Sequence, residues 1–422
     1  MLSVIRKNVR LAPYTTLRIG GIARYFADID REDQLSEALQ FAEQNHLPVF
    51  VLGSGSNVLI ADAGFPGVIL HLINKGITFH KAKKDGALVT AAAGEDWDKF
   101  VQQCVARDLA GIECLSGIPG LIGGTPIQNV GAYGQEVSET IVALRAFDRQ
   151  TKQVIEMTNA DCQFRYRTSV FNTTARDRYI VLSVTYKLKP HGEPAQRYPD
   201  LQNYFAAHKP TLQQVRDAVL TIRARKGMVI ALNDPDSQSA GSFFKNPLVR
   251  PETLAQIEAT TIETVPRFSA ADGLIKIPAA WLIEQAGFCK GYESGRVGIS
   301  SKHSLALINR SNATASEMVA FVEQIQSRVQ ERFGISLTPE PVWVGLAPRT
   351  VAISPPVQTK IEPKVERKIE PKLEPKVERK IEPLASPSAT NGALPLPPVK
   401  PARKFRKPEQ SPVKTERKKW FE

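Results

Sequence analysis

The chain has 422 residues, 42% of them hydrophobic, and a formal net charge of +12, a length that suggests two or three domains with real cores. No apolar run approaches the roughly 20 residues of a membrane span, Met1 to Arg10 lacks the apolar core of a signal peptide, and four scattered cysteines with no CxxC pair exclude a disulfide framework and a zinc site. The expectation is a soluble, cytoplasmic protein without a bound metal, its cysteines small core residues.

Leu35, Ala38, Leu39 and Ala42 sit at helical spacing. After Pro48, Val49–Leu52 reads as a buried strand, Gly53–Asn57 as a glycine-polar loop and Val58–Ile60 as a second strand. Ala87–Ala93, Ile141–Phe147 and Tyr179–Leu188 read as further strands. Glu95–Leu109 is an amphipathic helix with Trp97, Phe100, Val101, Cys104 and Val105 on one face. A new pattern starts after Pro210: a helix from Leu212 to about Lys226, a second over Pro278–Ala286 with Pro278 in the first turn, and a short strand Leu305–Ile308. Thr314–Phe333 is a long helix, with Thr314 and Glu317 spaced as a capping box and Gly334 at its C-terminal stop. Ile335–Val344 is extended and carries Glu340. From about Thr350 the composition changes. Residues 360–371 are nearly repeated by 372–383, prolines recur too often for a helix, and the segment reads as disordered with polyproline II character. Residues 350–422 hold 17 Lys and Arg against 9 Asp and Glu, so the basic balance belongs largely to this tail.

Four segments carry candidate chemistry. The loop Ile118–Gly134 is rich in glycine, holds two prolines, and offers strong side-chain polarity only at Thr125, Gln128 and Asn129. So much backbone polarity requires an outside partner, and glycine lets the chain approach a ligand closely. A flat heterocycle is the expected occupant, with Gln128 and Asn129 as edge partners. Gly53-Ser-Gly-Ser-Asn57 misses the dinucleotide fingerprint, because Val58 stands where a third glycine would, and it is no Walker loop. Its successive N–H groups and Ser54, Ser56 and Asn57 suit an anion nest. Gly241-Ser-Phe-Phe-Lys-Asn-Pro247 is no nucleophile elbow, but Lys245 and Asn246 suit an anionic substrate. Phe164–Phe171 reads as a strand-like or turn segment; on alternation Arg165 and Arg167 share a face, which taken alone reads as a solvated basic patch.

Together and in this order, these segments resemble the UDP-N-acetylenolpyruvoylglucosamine reductase (MurB) family, in its longer, type I branch. The landmarks are Thr15-Thr-Leu-Arg-Ile-Gly-Gly21, Gly53–Leu59, Ile118–Gly134, Tyr166-Arg-Thr-Ser169, Gly241–Pro247 and Pro339-Glu340, so the resemblance spans about Leu11 to Gly345. It implies an α+β protein with a vanillyl-alcohol-oxidase/PCMH-like FAD-binding region of two subdomains (1–208), a smaller α+β substrate-binding domain (209–334), a terminal strand with a catalytic glutamate (335–349) and the disordered tail (350–422). It implies an NADPH-dependent FAD oxidoreductase, with FAD bound non-covalently and NADPH as co-substrate, that makes UDP-N-acetylmuramate for peptidoglycan. Arg167, Ser242 and Glu340 carry over as catalytic, with Ser242 the proton donor. Gly53, Ser54, Gly55, Ser56 and Asn57 carry over as pyrophosphate contacts, and Pro119, Gly123, Gln128, Asn129, Gly131 and Ala132 as further flavin contacts. Tyr133, Tyr198, Lys226, Asn246 and Gln285 are expected to face the nucleotide-sugar.

The stretch from Thr260 to Gly273 resembles the branch's lid loop, with Phe268 where a tyrosine is usual. The tail has no counterpart. It is either a passive extension or, through Lys400–Glu422, a docking segment for a partner, and the folded part is expected to be a monomer. Two rival readings are another FAD enzyme of this fold that oxidises an alcohol or sugar, and a binding protein whose tail tethers it to nucleic acid or an anionic membrane.

Overall fold

The structure is a computed structural model that describes residues 4–81, 86–206, 208–231 and 234–346. The expected disorder of the tail, and its docking role, lie outside the described residues. The fold is α+β, as the pattern implies. Its first sheet runs in the order Ile5–Arg10, Ile22–Ile29, Phe65–Leu72, Val49–Leu52; the first pair is antiparallel and the others parallel. Helix Glu32–Gln44 lays Leu35, Ala38 and Ala42 on this sheet, in one cluster with Ala27, Ile29, Val68 and Leu70. The spacing of those three residues makes a single apolar stripe.

The second sheet is antiparallel: Gln153–Thr158, Ile141–Asp148, Tyr179–Pro190, Ala87–Ala92, Ile77–Phe79, with Leu109–Ala110 added on Tyr179–Pro190. Ala87, Val89 and Ala91 alternate into its core, as a strand with one covered face requires. Helix Trp97–Val105 covers that face with Trp97, Phe100, Val101, Cys104 and Val105. The helix is shorter than expected at both ends. Asp96 accepts from the Lys99 N–H at 2.9 Å and starts it, while Asp108 at φ +55° turns the chain so that Leu109 begins a strand.

In the C-terminal part, helix Ala315–Phe333 has the anticipated reciprocal Thr314/Glu317 cap and Gly334 at φ +67°. It buries Met318, Phe321, Val322, Ile325 and Val329 in a cluster that also takes Leu17, Ile19 and Leu59 from the N-terminal region. Pro278 is the N-cap of Ala279–Gln285, not a first-turn residue, and the expected strand at Leu305 starts at Leu307. The hairpin Ile5–Arg10/Ile22–Ile29 and helix Pro251–Thr260 had no reading in the sequence. Phe268–Ser269, within the lid-like stretch, pairs with Ile275–Lys276, which also pairs with Leu248–Val249. Helix Leu212–Arg225 packs Val215, Ala218, Val219 and Ile222 against Cys114 and Leu201, so the core is continuous across residue 208.

One pairing positions the site. Val342–Val344 lies parallel to Val58–Ile60, with the Val342 N–H on the Asn57 carbonyl at 2.9 Å. The end of the folded chain therefore runs beside the Gly53–Asn57 loop and brings Glu340 with it. Among the described residues no helix is long and apolar enough to cross a membrane, and no cluster of His, Cys, Asp and Glu has the makings of a metal site.

Candidate active site

The two glycine loops face each other. The Ser56 hydroxyl donates to the Pro119 carbonyl at 2.9 Å, Asn57 Nδ2 donates to Gln128 Oε1 at 2.7 Å, and Ser54 and Ser56 share a 3.2 Å contact. Gly55 sits at φ +65°, and a β-carbon there would lie 1.9 Å from the Tyr14 carbonyl oxygen, so only glycine lets the loop seat on the N-terminal segment. Between the loops runs a cavity of about 850 Å³. Gly53, Ser54, Gly55, Ser56, Asn57, Pro119, Gln128, Gly131 and Ala132 line it on one side; Arg167, Ser242, Lys245 and Glu340 also reach it.

Those last four come from three distant segments. Arg165 and Thr168 exchange backbone hydrogen bonds at 2.9 and 3.0 Å around a tight turn, and Arg167 stands at φ +53°. Of the two readings the segment is the turn and not the strand, so the shared face is lost: Arg165 is exposed while Arg167 lines the cavity. Arg167 donates through Nη2 to the Gly131 carbonyl at 2.7 Å and places Nε 3.3 Å from Glu340 Oε1. The Glu340 N–H is held by the Phe243 carbonyl at 2.8 Å, and the Lys245 N–H by the Thr338 carbonyl at 3.0 Å. Ser242 is thus locked beside the terminal segment. Its hydroxyl makes no hydrogen bond among the described residues and is open to a ligand. Burial pushes the Glu340 carboxyl above the usual carboxylate range, and the charges of Arg167 and Lys245 pull it partly back.

The other expected residues stand outside the cavity lining. Asn129 is not an edge partner through its side chain. It is buried at φ +47°, its amide donates to Glu136 at 2.7 Å and to the Arg165 carbonyl at 3.1 Å, and its Oδ1 accepts from the Ser138 N–H at 3.1 Å. It shapes the loop. Gly123 backs onto Ala93, where a β-carbon would find another at 2.8 Å. Tyr133, Tyr198 and Lys226 gather beside the cavity: the two rings meet edge to face at 5.4 Å, and Lys226 Nζ is 5.9 Å from the Tyr133 ring centre and 2.7 Å from Asp200. Asn246 spends its amide oxygen on the Ala279 N–H at 2.9 Å, at the start of helix Ala279–Gln285. Gln285, at the other end of that helix, donates to Glu263 at 2.8 Å. Phe268 is exposed, with Lys276 Nζ 5.9 Å from its ring and 5.1 Å from that of Tyr166.

Arg223 was missed. It lines the cavity, donates through Nη2 to the Met228 carbonyl at 2.8 Å, and leaves Nε buried without a partner among the described residues. The signal was present: Arg223 continues the series Val215, Val219 at four-residue spacing, on a face that is otherwise buried. The residues fit a long, flat, phosphate-bearing cofactor. The cavity volume falls within the ~300–1,000 Å³ typical of cofactor sites. A β-carbon on Gly124 would meet nothing within 4 Å, and one on Gly120 only the Ser56 hydroxyl at 3.8 Å. Backbone can therefore approach a ligand along the Ile118–Gly134 loop.

Comparison with known proteins agrees with this layout. Residues 234–344 match the family described as "UDP-N-acetylenolpyruvoylglucosamine reductase, C-terminal domain", and residues 23–157 match "FAD binding domain". The chain is 41% identical over 356 residues to a UDP-N-acetylenolpyruvoylglucosamine reductase of Thermobifida fusca, covering 82% of this chain and 99% of that protein. It is 43% identical over 357 residues to one of Mycobacterium marinum, covering 81% and 96%. The crystal structure of the Thermus caldophilus reductase superposes with a TM-score of 0.55 at 26% identity, over 81% of this chain and 99% of that one.

Proposed function

The chain belongs to the UDP-N-acetylenolpyruvoylglucosamine reductase family, and from that premise we propose that it reduces the enolpyruvyl group of UDP-N-acetylglucosamine enolpyruvate with electrons from NADPH. The product, UDP-N-acetylmuramate, is a peptidoglycan precursor. The observation that carries this reading is the convergence of Arg167, Ser242, Lys245 and Glu340 on the one cavity that both glycine loops line.

FAD would be held by the backbone and hydroxyls of Gly53, Ser54, Gly55, Ser56 and Asn57 at its pyrophosphate, and by Pro119, Gln128, Gly131 and Ala132, with Gly123 and Asn129 shaping the second loop behind them. When bound, FAD supplies the hydride that the methylene carbon of the enolpyruvyl group receives. Negative charge then builds on the neighbouring carbon and its carboxylate. Arg167 is fixed by the Gly131 carbonyl before substrate arrives, so its charge is preorganised; a donor of this kind contributes roughly 3–4 kcal/mol. Lys245 adds a second cation. Glu340, half-buried beside Arg167, holds that side chain in place and helps hold or polarise the same intermediate. The Ser242 hydroxyl donates its proton to the carbanionic carbon, which completes saturation of the double bond, and the serine oxygen is reprotonated from water. Tyr133, Tyr198, Lys226, Asn246 and Gln285 would bind the nucleotide-sugar, with Lys226 meeting its diphosphate.

The test is direct. The purified protein should be yellow, should lose non-covalent FAD on acid precipitation, and should oxidise NADPH rapidly only when UDP-N-acetylglucosamine enolpyruvate is present. A colourless protein that added FAD does not reconstitute, or NADPH loss indifferent to the substrate, would overturn the assignment.

A further inference from the structure

The landmark Thr15-Thr-Leu-Arg-Ile-Gly-Gly21 contributes no residue to the cavity lining, yet it bonds to segments that do. Thr15 is buried and closes a turn: its hydroxyl donates to the Ile19 carbonyl at 3.0 Å and accepts from the Ile19 N–H at 3.3 Å. Leu17 and Ile19 sink into the C-terminal cluster with Ala240 and Phe243, and the Leu17 carbonyl accepts from Asn309 Nδ2 at 2.9 Å. Thr16, inside this turn, meets both the Gly53–Asn57 loop and the chain that leads to Ser242.

Thr16 spends its two donors on different partners. Its N–H donates to the Gly55 carbonyl at 3.2 Å, and its hydroxyl to the Ser239 carbonyl at 2.6 Å, 223 residues away in the chain. The hydroxyl proton belongs to Ser239, because the Gly55 oxygen lies 3.5 Å off and already takes the N–H. Ser239 is buried, and its own hydroxyl accepts from the Gly241 N–H at 3.2 Å, so a shift of Ser239 passes to Gly241 and Ser242. The Asn309 N–H on the Gln238 carbonyl at 3.1 Å and the Phe243 N–H on the Leu305 carbonyl at 2.8 Å fix the same segment to the C-terminal part. The Thr16 hydroxyl ties it directly to the first glycine loop. Asn57 of that loop reaches it through the terminal segment, by way of Val342 and Glu340.

We propose that Thr16 is a positioning residue for proton transfer: its hydroxyl fixes Ser242 against the loop that holds the cofactor's pyrophosphate. The role of Ser242 rests on the function proposed above. A proton donor must stand within hydrogen-bond reach of the atom it serves, and a misplacement of about 1 Å costs on the order of 100-fold in rate. Thr16→Val removes the side-chain donor and nothing else of the turn. It leaves the N–H of residue 16 on Gly55, so the cofactor loop keeps its support. The Ser239 carbonyl loses its partner, and a buried acceptor left unpaired shifts toward another donor or water. Gly241 and Ser242 shift with it.

Stopped-flow traces of the full-length, FAD-loaded protein, with rates read per bound flavin, separate the half-reactions. Thr16→Val should slow reoxidation by the enolpyruvyl substrate about 10–100-fold, with reduction by NADPH and the dissociation constant for FAD unchanged. Thr16→Ser, which keeps the hydroxyl, should restore reoxidation. In a Ser242→Ala background Thr16→Val should cost nothing further, because the two changes remove one function. Thr16→Ala carries the same expectations if the valine variant folds poorly. Reoxidation at the wild-type rate in Thr16→Val, equal slowing of both half-reactions, weakened FAD binding, or a loss that adds to that of Ser242→Ala overturns the proposal. Ser242→Ala at the wild-type rate removes the roles of Ser242 and Thr16 together and leaves the enzyme assignment intact, whereas a wild-type protein that the substrate does not reoxidise defeats both.

Discussion

Arg167 Nε lies 3.3 Å from Glu340 Oε1, and the two side chains reach each other from segments far apart in the chain. The pair is unequal. Burial raises the Glu340 carboxyl more than Arg167 and Lys245 lower it, so the ionised carboxylate is tolerated in the fold, not favoured. A carboxyl raised in the folded state costs nothing below its ordinary value and destabilises increasingly as pH rises above it. Glu340→Gln is therefore expected to abolish most turnover while melting at or above the wild-type temperature at pH 8, by about 1–3 °C, with the gain shrinking toward pH 5. A variant that melts clearly lower at pH 8 would show instead that the ion pair is a net stabiliser.

Ser242 predicts a separation of half-reactions. Its hydroxyl faces the cavity with no hydrogen bond among the described residues, and removing it takes away a proton donor but no part of either glycine loop. Ser242→Ala should keep its flavin spectrum and its rate of reduction by NADPH in stopped-flow traces, while reoxidation by the enolpyruvyl substrate slows about 10²–10⁴-fold. Near-wild-type reoxidation would move the proton donor elsewhere.

What the sequence made legible depended on how local the cause was. Helix Ala315–Phe333 was readable because its cap, its stripe and its terminal glycine all act within a few residues. The strands Val49–Leu52 and Val58–Ile60 were bounded by the glycines and proline around them. Arg165 and Arg167 were misread because alternation presumes an extended chain, and a turn with Arg167 at positive φ separates them. Asn129 looked like a ligand group because polarity in an apolar loop can serve the loop itself, and only the fold shows Glu136 and Ser138 waiting for it. No local pattern marks Glu340. Its place comes from a pairing with Val58–Ile60, near the other end of the folded chain, and the family resemblance alone pointed to it.

Gly55 separates a structural from a merely permissive glycine. A β-carbon on Gly241 would meet nothing within 4 Å, whereas one on Gly55 would lie 1.9 Å from the Tyr14 carbonyl oxygen and 2.8 Å from the Thr15 α-carbon. At φ +65° the substitution is strained as well as blocked. Gly55→Ala should push the loop off the Tyr14–Thr16 segment, raise the dissociation constant for FAD at least tenfold by fluorescence titration, and yield protein that purifies largely without colour. Unchanged FAD affinity would mean that the loop relaxes without losing its anion nest.

Asp62 offers a stability prediction with a definite pH sign. Its carboxylate accepts from the Ala315 N–H at 2.7 Å, the Ser316 N–H at 3.0 Å and the Ser316 hydroxyl at 2.7 Å, which ties the second residue after strand Val58–Ile60 to the start of helix Ala315–Phe333. Desolvation works to raise the carboxyl, but the two backbone donors and the serine hydroxyl more than offset it and leave it below 3.8. A carboxylate at a helix N-terminus also opposes the positive end of the helix dipole. A lowered carboxyl contributes stability that is fully present above its ordinary value and is lost as pH falls through its folded value. Asp62→Ala should therefore cost about 1 kcal/mol at neutral pH, in the range of a lost helix cap, and the difference from wild type should persist to about pH 4 and close only below it. Denaturant melts of both proteins at pH 7, 5 and 3.5 would show it. If the gap closes already at pH 5, Asp62 is not held by these donors in solution, and the two ends of the folded chain are joined by the strand pairing and the shared apolar cluster without it.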